Sequence, residues 1–354
     1  MSSEFASLQT FPALVAEVVS DIDVGFLDNP GLLLGIPLAI AGAVFLSLGT
    51  QFQSQGVRKV ERLSGASGRK GLSAAHLGMM LRRPSWILGT LLLGSAIVCQ
   101  LSALAIAPLI VVQPIGAVSL VITTLLNAQM SGHMPTRASL SAIALSLGGI
   151  FLFVFFAALF AVEKPVGDEQ LLTLLAILLI VMIVVGATWL FLRNRAGALF
   201  YIVAAGVLYG FVATIAKVII KRVQQGDIGL ITIACAVALV AAAAAGAYFV
   251  QTAYSAGPPD LVIAGLTVID PIVAVIIGAT LLNEAARAPA WTLVIWVVAG
   301  TAATIGVFLL AKNHPQIVHE SQELPFSRGS RRPGDGTTQP PSPDGDSGDS
   351  LSGR

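Results

Sequence analysis

Two stretches decide the fold: VVQPIGAVSLVITTLLNAQ (Val111–Gln129) and TVIDPIVAVIIGATLLNEA (Thr267–Ala285). Each is long enough to cross a bilayer core, which takes about 20 mostly apolar residues. Pro114 aligns with Pro271, and after a one-residue slip Leu125-Leu126-Asn127 aligns with Leu281-Leu282-Asn283. A second pair lies upstream of each. AGAVFLSLGTQFQSQGVRKV (Ala41–Val60) stands 163 residues before AAGVLYGFVATIAKVIIKRV (Ala204–Val223), sharing Ala41/Ala204, Val44/Val207 and Val60/Val223. The chain therefore reads as a duplication of apolar spans.

The rest of the chain agrees. Of 354 residues, 55% are apolar and only 11% charged, with net charge +1. Soluble domains are about a quarter charged, so an ordinary soluble enzyme is excluded. A nucleic-acid partner is excluded too, because no basic field is available to collect phosphates. The lipid bilayer is the expected surrounding.

The same ruler gives nine spans, roughly 32–53, 85–107, 109–129, 140–161, 171–192, 198–220, 230–253, 261–282 and 290–311. The expected fold is an all-α membrane protein of about nine transmembrane helices. Trp86, Trp189 and Trp291 fall near span ends, where interfacial anchors belong. With the N-terminus outside, 15 Lys and Arg face one side and 4 the other, leaving Lys217 within a span. The positive-inside rule then puts the basic loop 54–84 and the C-terminal tail in the cytoplasm. The expected address is the cell's inner (plasma) membrane.

Five segments follow. Residues 1–30 carry five acids and no Lys or Arg, and read as an external interfacial helix or a short tenth crossing. Residues 31–161 form a first repeat, 162–195 a linker helix and 196–312 a second repeat. Residues 313–354, rich in Gly, Pro, Ser and Asp, read as a disordered tail. Equivalent spans lie five crossings apart, an odd number, so the repeats are inverted in the membrane. Inverted repeats are the signature of secondary transporters, with cargo bound near mid-membrane at the repeat interface.

One stretch carries a family resemblance. SALAIAPLIVVQPIGAVSLVITTLLNAQ (Ser102–Gln129), with Ala107-Pro108 and then Val112 to Ser119, resembles the NIPA-like branch of the drug/metabolite transporter superfamily. DPIVAVIIGATLLNE (Asp270–Glu284) resembles the Pro-to-Glu hairpin of EamA-like members of that superfamily. The resemblance implies a permease for metabolites or drugs, with Mg²⁺ as the NIPA-like alternative and Glu284 as an interfacial or gating carboxylate. It leaves room for a homodimer. The acid that NIPA-like proteins carry after the first hairpin is absent here, and His133 lies near its place.

Charges inside spans are expensive and are functional candidates by default. Asp270 lies midway along its span among small neighbours, followed by Pro271, which frees backbone carbonyls. Lys217 is its candidate partner, expected about 10 Å further out along the span. Their first-copy counterparts, Gln113 and Ser54, are neutral. Gln51, Gln113, Asn127 and Thr267 are candidate neutral contacts, either lining a cavity or bonding helix to helix. If Mg²⁺ is the cargo, Asp270 is its candidate metal ligand. Gly35, Gly42 and Gly49 form a stripe expected to pack. Cys99 and Cys235 read as small packing residues.

No Gly-rich phosphate loop with Lys is present, so no ATP-driven engine is expected. Nor does any Ser/His/Asp set fall at one depth. The expectation is a gradient-driven carrier of a small-molecule or ion cargo, with no cofactor and no enzymatic activity. A non-transporting membrane scaffold or sensor, docking a partner through its basic loop and tail, is the reading from another class.

Overall fold

The computed structural model describes residues 30–64, 83–131, 136–192 and 197–312. The expected external segment, the larger part of the basic loop and the C-terminal tail lie outside these residues. Ten helices and no strand are present among the described residues: α1 (Pro30–Ser64), α2 (Pro84–Ile106), α3 (Leu109–Gly116), α4 (Val118–Ser131), α5 (Arg137–Phe160), α6 (Asp168–Leu192), α7 (Ala198–Gln224), α8 (Leu230–Ala256), α9 (Pro259–Thr280) and α10 (Ala290–Lys312). Nine segments among them are long and apolar enough to cross a membrane, with the third running from Leu109 to Leu126 through α3 and into α4. The chain is a multi-pass helical membrane protein. A helix meets its own backbone hydrogen-bonding needs, which makes it the economical element in lipid.

Two elements differ from the sequence reading. Helix α1 continues past Gln53 to Ser64, because leaving an apolar run does not end a helix and the one glycine on the way, Gly56, is packed against Trp86. The third span is split at Ala117. Pro114 has no N–H to return to the Ile110 carbonyl, and Ala117 N instead bonds Pro114 O at 3.2 Å. Past that break the chain follows α1, whereas α3 packs against both α1 and α9.

Glycine decides which helices meet. On α1, a Cβ at Gly35 would stand 2.4 Å from the Ala107 Cβ, one at Gly49 2.9 Å from Leu93 and one at Gly56 2.7 Å from Trp86, so the stripe is the face that packs antiparallel on α2. Helices α5 and α10 interlock the same way: a Cβ on Gly149 would lie 2.5 Å from Ala303 N, and one on Gly306 2.4 Å from Ser146 N. Helices α7 and α9 run parallel, with Gly206 against Ile269, Gly210 against Val273 and Gly265 against Ile202, a constant offset of 63 residues. Helix α8 lies on α7, and α6 rests on α8 and α7. Short α3 sits at the centre, with Leu109 to Gln113 and Ile115 all buried.

Candidate functional site

The sequence separates its intramembrane charges into two levels, and the structure treats them differently. At the C-terminal end of α7, Lys217 is buried, and its Nζ donates to Ala107 O at 2.8 Å, Glu284 Oε1 at 2.7 Å and Glu163 Oε1 at 3.1 Å. An ammonium has three donors, so all are spent. Lys221, one turn on, donates to the other oxygen of Glu163 at 2.6 Å.

Glu284 reaches this place through a tight turn after α9. Asn283 adopts φ 53°, the left-handed region that Asn tolerates better than most residues. Glu284 N then donates to Gly278 O at 3.0 Å, and Val162 N to Glu284 O at 2.9 Å. Gly278 leaves the room: a Cβ there would stand 3.0 Å from Glu284 Oε2. The carboxylate accepts from Leu109 N and Ile110 N, both at 2.9 Å. These are orphan donors of the first turn of α3, where a negative charge also meets the positive end of the helix dipole. One side chain thus fastens α3 to the α9–α10 connection, and Lys217 fastens both to α7.

A second charged set lies beside it. Buried Arg222 pairs with Asp168 at the start of α6, with Asp227 at 2.8 Å, and with Val166 O at 3.5 Å. Its role is to hold the connections on either side of α6 and α7 against the bundle.

Asp270 stands alone by contrast. Its Oδ1 is buried and has no hydrogen-bond partner among the described residues. Pro271 follows, leaving the Thr267 carbonyl without its helical N–H donor. The 63-residue offset puts Asp270 level with Val207, between Gly206 and Gly210. Lys217 is ten residues beyond Val207, about 15 Å along the helix. The expected Asp270–Lys217 pair is therefore not formed, and Lys217 is taken by Glu284 and Glu163.

The face of α9 that carries Asp270 changes character there. On the N-terminal side Ile263 is 39% exposed and Thr267 is half-buried, while beyond Asp270 the same face is closed at Ala274 (0%) and Ile277 (6%). The closed part lies against α3, where Gly278 meets Leu109 and Ile110. On the open part the chain beyond Ala117 has turned away along α1. Tyr209, half-buried on α7, packs its ring on Gly246 of α8.

No family model and no solved structure matches the chain. It is similar to an uncharacterized protein of Corynebacterium glutamicum, 27% identical over 279 residues that cover 77% of this chain and 92% of the relative. The similarity thus extends over nearly the whole relative.

The neutral candidates fall in different places. Gln51 on α1 and Gln113 on α3 are buried, the latter immediately before the proline of the broken span. Thr267 turns its hydroxyl to Ile263 O on its own helix at 2.7 Å. The side chain of Asn127 lies outside the described residues. Ser47, one turn before Gln51, shares its hydroxyl between Ala43 O on its own helix and Ser119 O at the start of α4, both at 2.8 Å. Glu163 was missed from sequence because it falls in a connection. Its signal was a position at the same end of the bundle as Lys217 and Glu284. Glu284 itself is 2% exposed and paired with Lys217.

Proposed function

We propose that the chain is a permease of the drug/metabolite transporter type, moving a small polar or amphipathic solute by gradient-driven alternating access. The observation that carries this reading is Asp270, a carboxylate within a span, with a buried oxygen that has no partner among the described residues, next to a proline inside the helix. A protein that keeps such a group has a use for its charge, because a structural acid would be given partners.

Three further features support it. Helix α1 packs on α2 as α7 packs on α8, α1 meets α3 and α4 as α7 meets α9, and the pairs α3·α9 and α5·α10 join the two halves. That is the pairing expected of two inverted four-span repeats, each able to rock against the other. The Lys217–Glu284–Glu163 cluster closes one end, and the face of Asp270 is open toward the other. With the positive-inside orientation, the closed end is the outer one, the N-terminus is outside, and Asp270 is reached from the cytoplasm of a cell-membrane carrier.

Alternation then requires the outer cluster to part while the cytoplasmic side closes. Lys217 touches α3 through Ala107 O and Glu284, so opening separates α7 from the α2–α3 turn or carries the α9–α10 connection with it. Mg²⁺ is the less favoured cargo. It demands six oxygens and usually keeps several waters, and among the described residues no group of three or more His, Cys, Asp or Glu is assembled. A scaffold or sensor would give Asp270 nothing to do.

The test is flux into proteoliposomes loaded with pH and Mg²⁺ indicators, wild type against Asp270→Asn. A solute-dependent pH change that the variant loses supports a coupled carrier. Equal flux in wild type and variant would contradict it, and Mg²⁺ entry lost in the variant would revive the magnesium reading.

A further inference from the structure

The closed end of the bundle is fastened by two kinds of bond, and they differ in what it takes to break them. Lys217 and Glu284 form a nearly dry pair, their side chains 4% and 2% exposed. Parting that pair leaves two buried charges uncompensated, which is strongly unfavourable. The second kind belongs to the connection 161–167. This segment leaves α5, and its bonds run to α7 and to the α9–α10 connection. Val162 N donates to Glu284 O at 2.9 Å, and Glu163 accepts from Lys217 at 3.1 Å and from Lys221 at 2.6 Å. Further along, Val166 O and Asp168 take the guanidinium of Arg222.

The bonds of Glu163 are within reach of water. Its side chain is 20% exposed and that of Lys221 19%, and the neighbouring Lys164 and Pro165 are exposed. An ion pair that water reaches contributes little, because solvation replaces most of what is lost when it opens. Lifting the connection returns Glu163 and Lys221 to water and leaves Lys217 paired with Glu284, so no buried charge is stranded. Burial therefore sets an order: the connection yields first, and the Lys217–Glu284 pair with its cap on α3 moves after it. Ala161 and Val166 are buried and anchor the two ends of the segment, so what lifts is the stretch between them. At the junction with α6, Gly167 stands in open space, where an added Cβ would meet nothing within 4 Å.

We propose that the connection 161–167 is a strap across the closed end, and that Glu163, shared between Lys217 and Lys221, is its release point. The proposal rests on the transport reading above and says which contact of that end gives way first. Glu163 acts through Lys217 and is a positioning residue: while it is bound, the ammonium is held on three sides, and once it leaves, Lys217 is held by Glu284 and Ala107 O alone.

The experiment uses the full-length protein in nanodiscs, with Cys99 and Cys235 replaced by alanine and Ile277→Cys as reporter. Ile277 is 6% exposed and lies next to Gly278, which meets Leu109, Ile110 and Glu284, so it is uncovered when this end opens. The reading is the rate of labelling by a water-soluble, membrane-impermeant maleimide. Glu163→Gln should raise that rate about tenfold, the effect of weakening two partly exposed pairs. Lys221→Met, which leaves the bond to Lys217 in place, should raise it roughly threefold, and Lys164→Gln should leave it unchanged. Ala142→Cys, wholly buried toward the other end of α5, reports general loosening and should stay unreactive beside Glu163→Gln. An unchanged rate at Ile277→Cys in the Glu163→Gln background, or a rise at both reporters, would overturn the proposal. The two readings fail separately. A faster rate in Glu163→Gln with no flux of any solute in wild type would leave the strap standing and sink the transporter, whereas Asp270-dependent flux with an unchanged rate would do the reverse.

Discussion

Two acids of the same bundle, Glu284 and Asp270, are treated in opposite ways. Glu284 is almost wholly buried, yet its carboxylate accepts two backbone N–H groups and an ammonium. Asp270 has a buried oxygen with no partner among the described residues. Desolvation penalises both in the same sense. At Glu284 the chain supplies the compensation from α3 and α7, and the result is a fastening between segments that are far apart in sequence. At Asp270 the described residues supply no partner to Oδ1, and on the transport reading the compensation comes from cargo or a proton. On that reading, the contrast separates a charge used for architecture from a charge held available.

The contrast can be broken most forcefully at Glu284. Glu284→Gln should lower stability by about 3 kcal/mol, because it leaves Lys217 buried with less countercharge and weakens the cap on α3. Thermal unfolding in detergent reads this, and an unchanged melting temperature would remove the architectural role. The double variant Lys217→Met/Glu284→Gln should recover part of that loss, since it removes both charges together. A recovery of nothing would mean that the cap on α3, not the ion pair, carries the effect.

The one-sided opening is tested next, in a background with Cys99 and Cys235 replaced by alanine. Ile263→Cys should react with a water-soluble, membrane-impermeant maleimide and Ile277→Cys should not. Protection at both positions would mean that the exposed face of α9 meets lipid rather than water. The smallest effect belongs to Thr267→Val. Its hydroxyl is bonded to its own helix, so stability should change by no more than about 0.5 kcal/mol. A larger fall, or lost flux, would move Thr267 into the site.

Much of this was legible from residue patterns. The spans follow from composition, because lipid admits few elements and the apolar runs have the length of a bilayer. The Gly35, Gly42 and Gly49 stripe announced a packing face, and the structure extends it to Gly56. Asp270 stood out by its rarity in an apolar span. The partner of Lys217 did not. Depth along a helix is readable from sequence, but the offset between two parallel helices is set by how Gly206, Gly210 and Gly265 interlock with their neighbours. That offset puts Lys217 about 15 Å from the level of Asp270. Glu284 and Glu163 lie in connections whose folding-back depends on the Asn283 turn and on the space at Gly278. Connections carry no periodicity from which such placement could be read.

The most direct test of the division between the two charges is the melting temperature of Asp270→Asn measured beside its flux. If Asp270 is held for cargo, removing its charge relieves an uncompensated carboxylate, so the melting temperature stays level or rises while flux is lost. If the variant instead melts as early as Glu284→Gln, Asp270 is a structural acid and the account of the site is wrong.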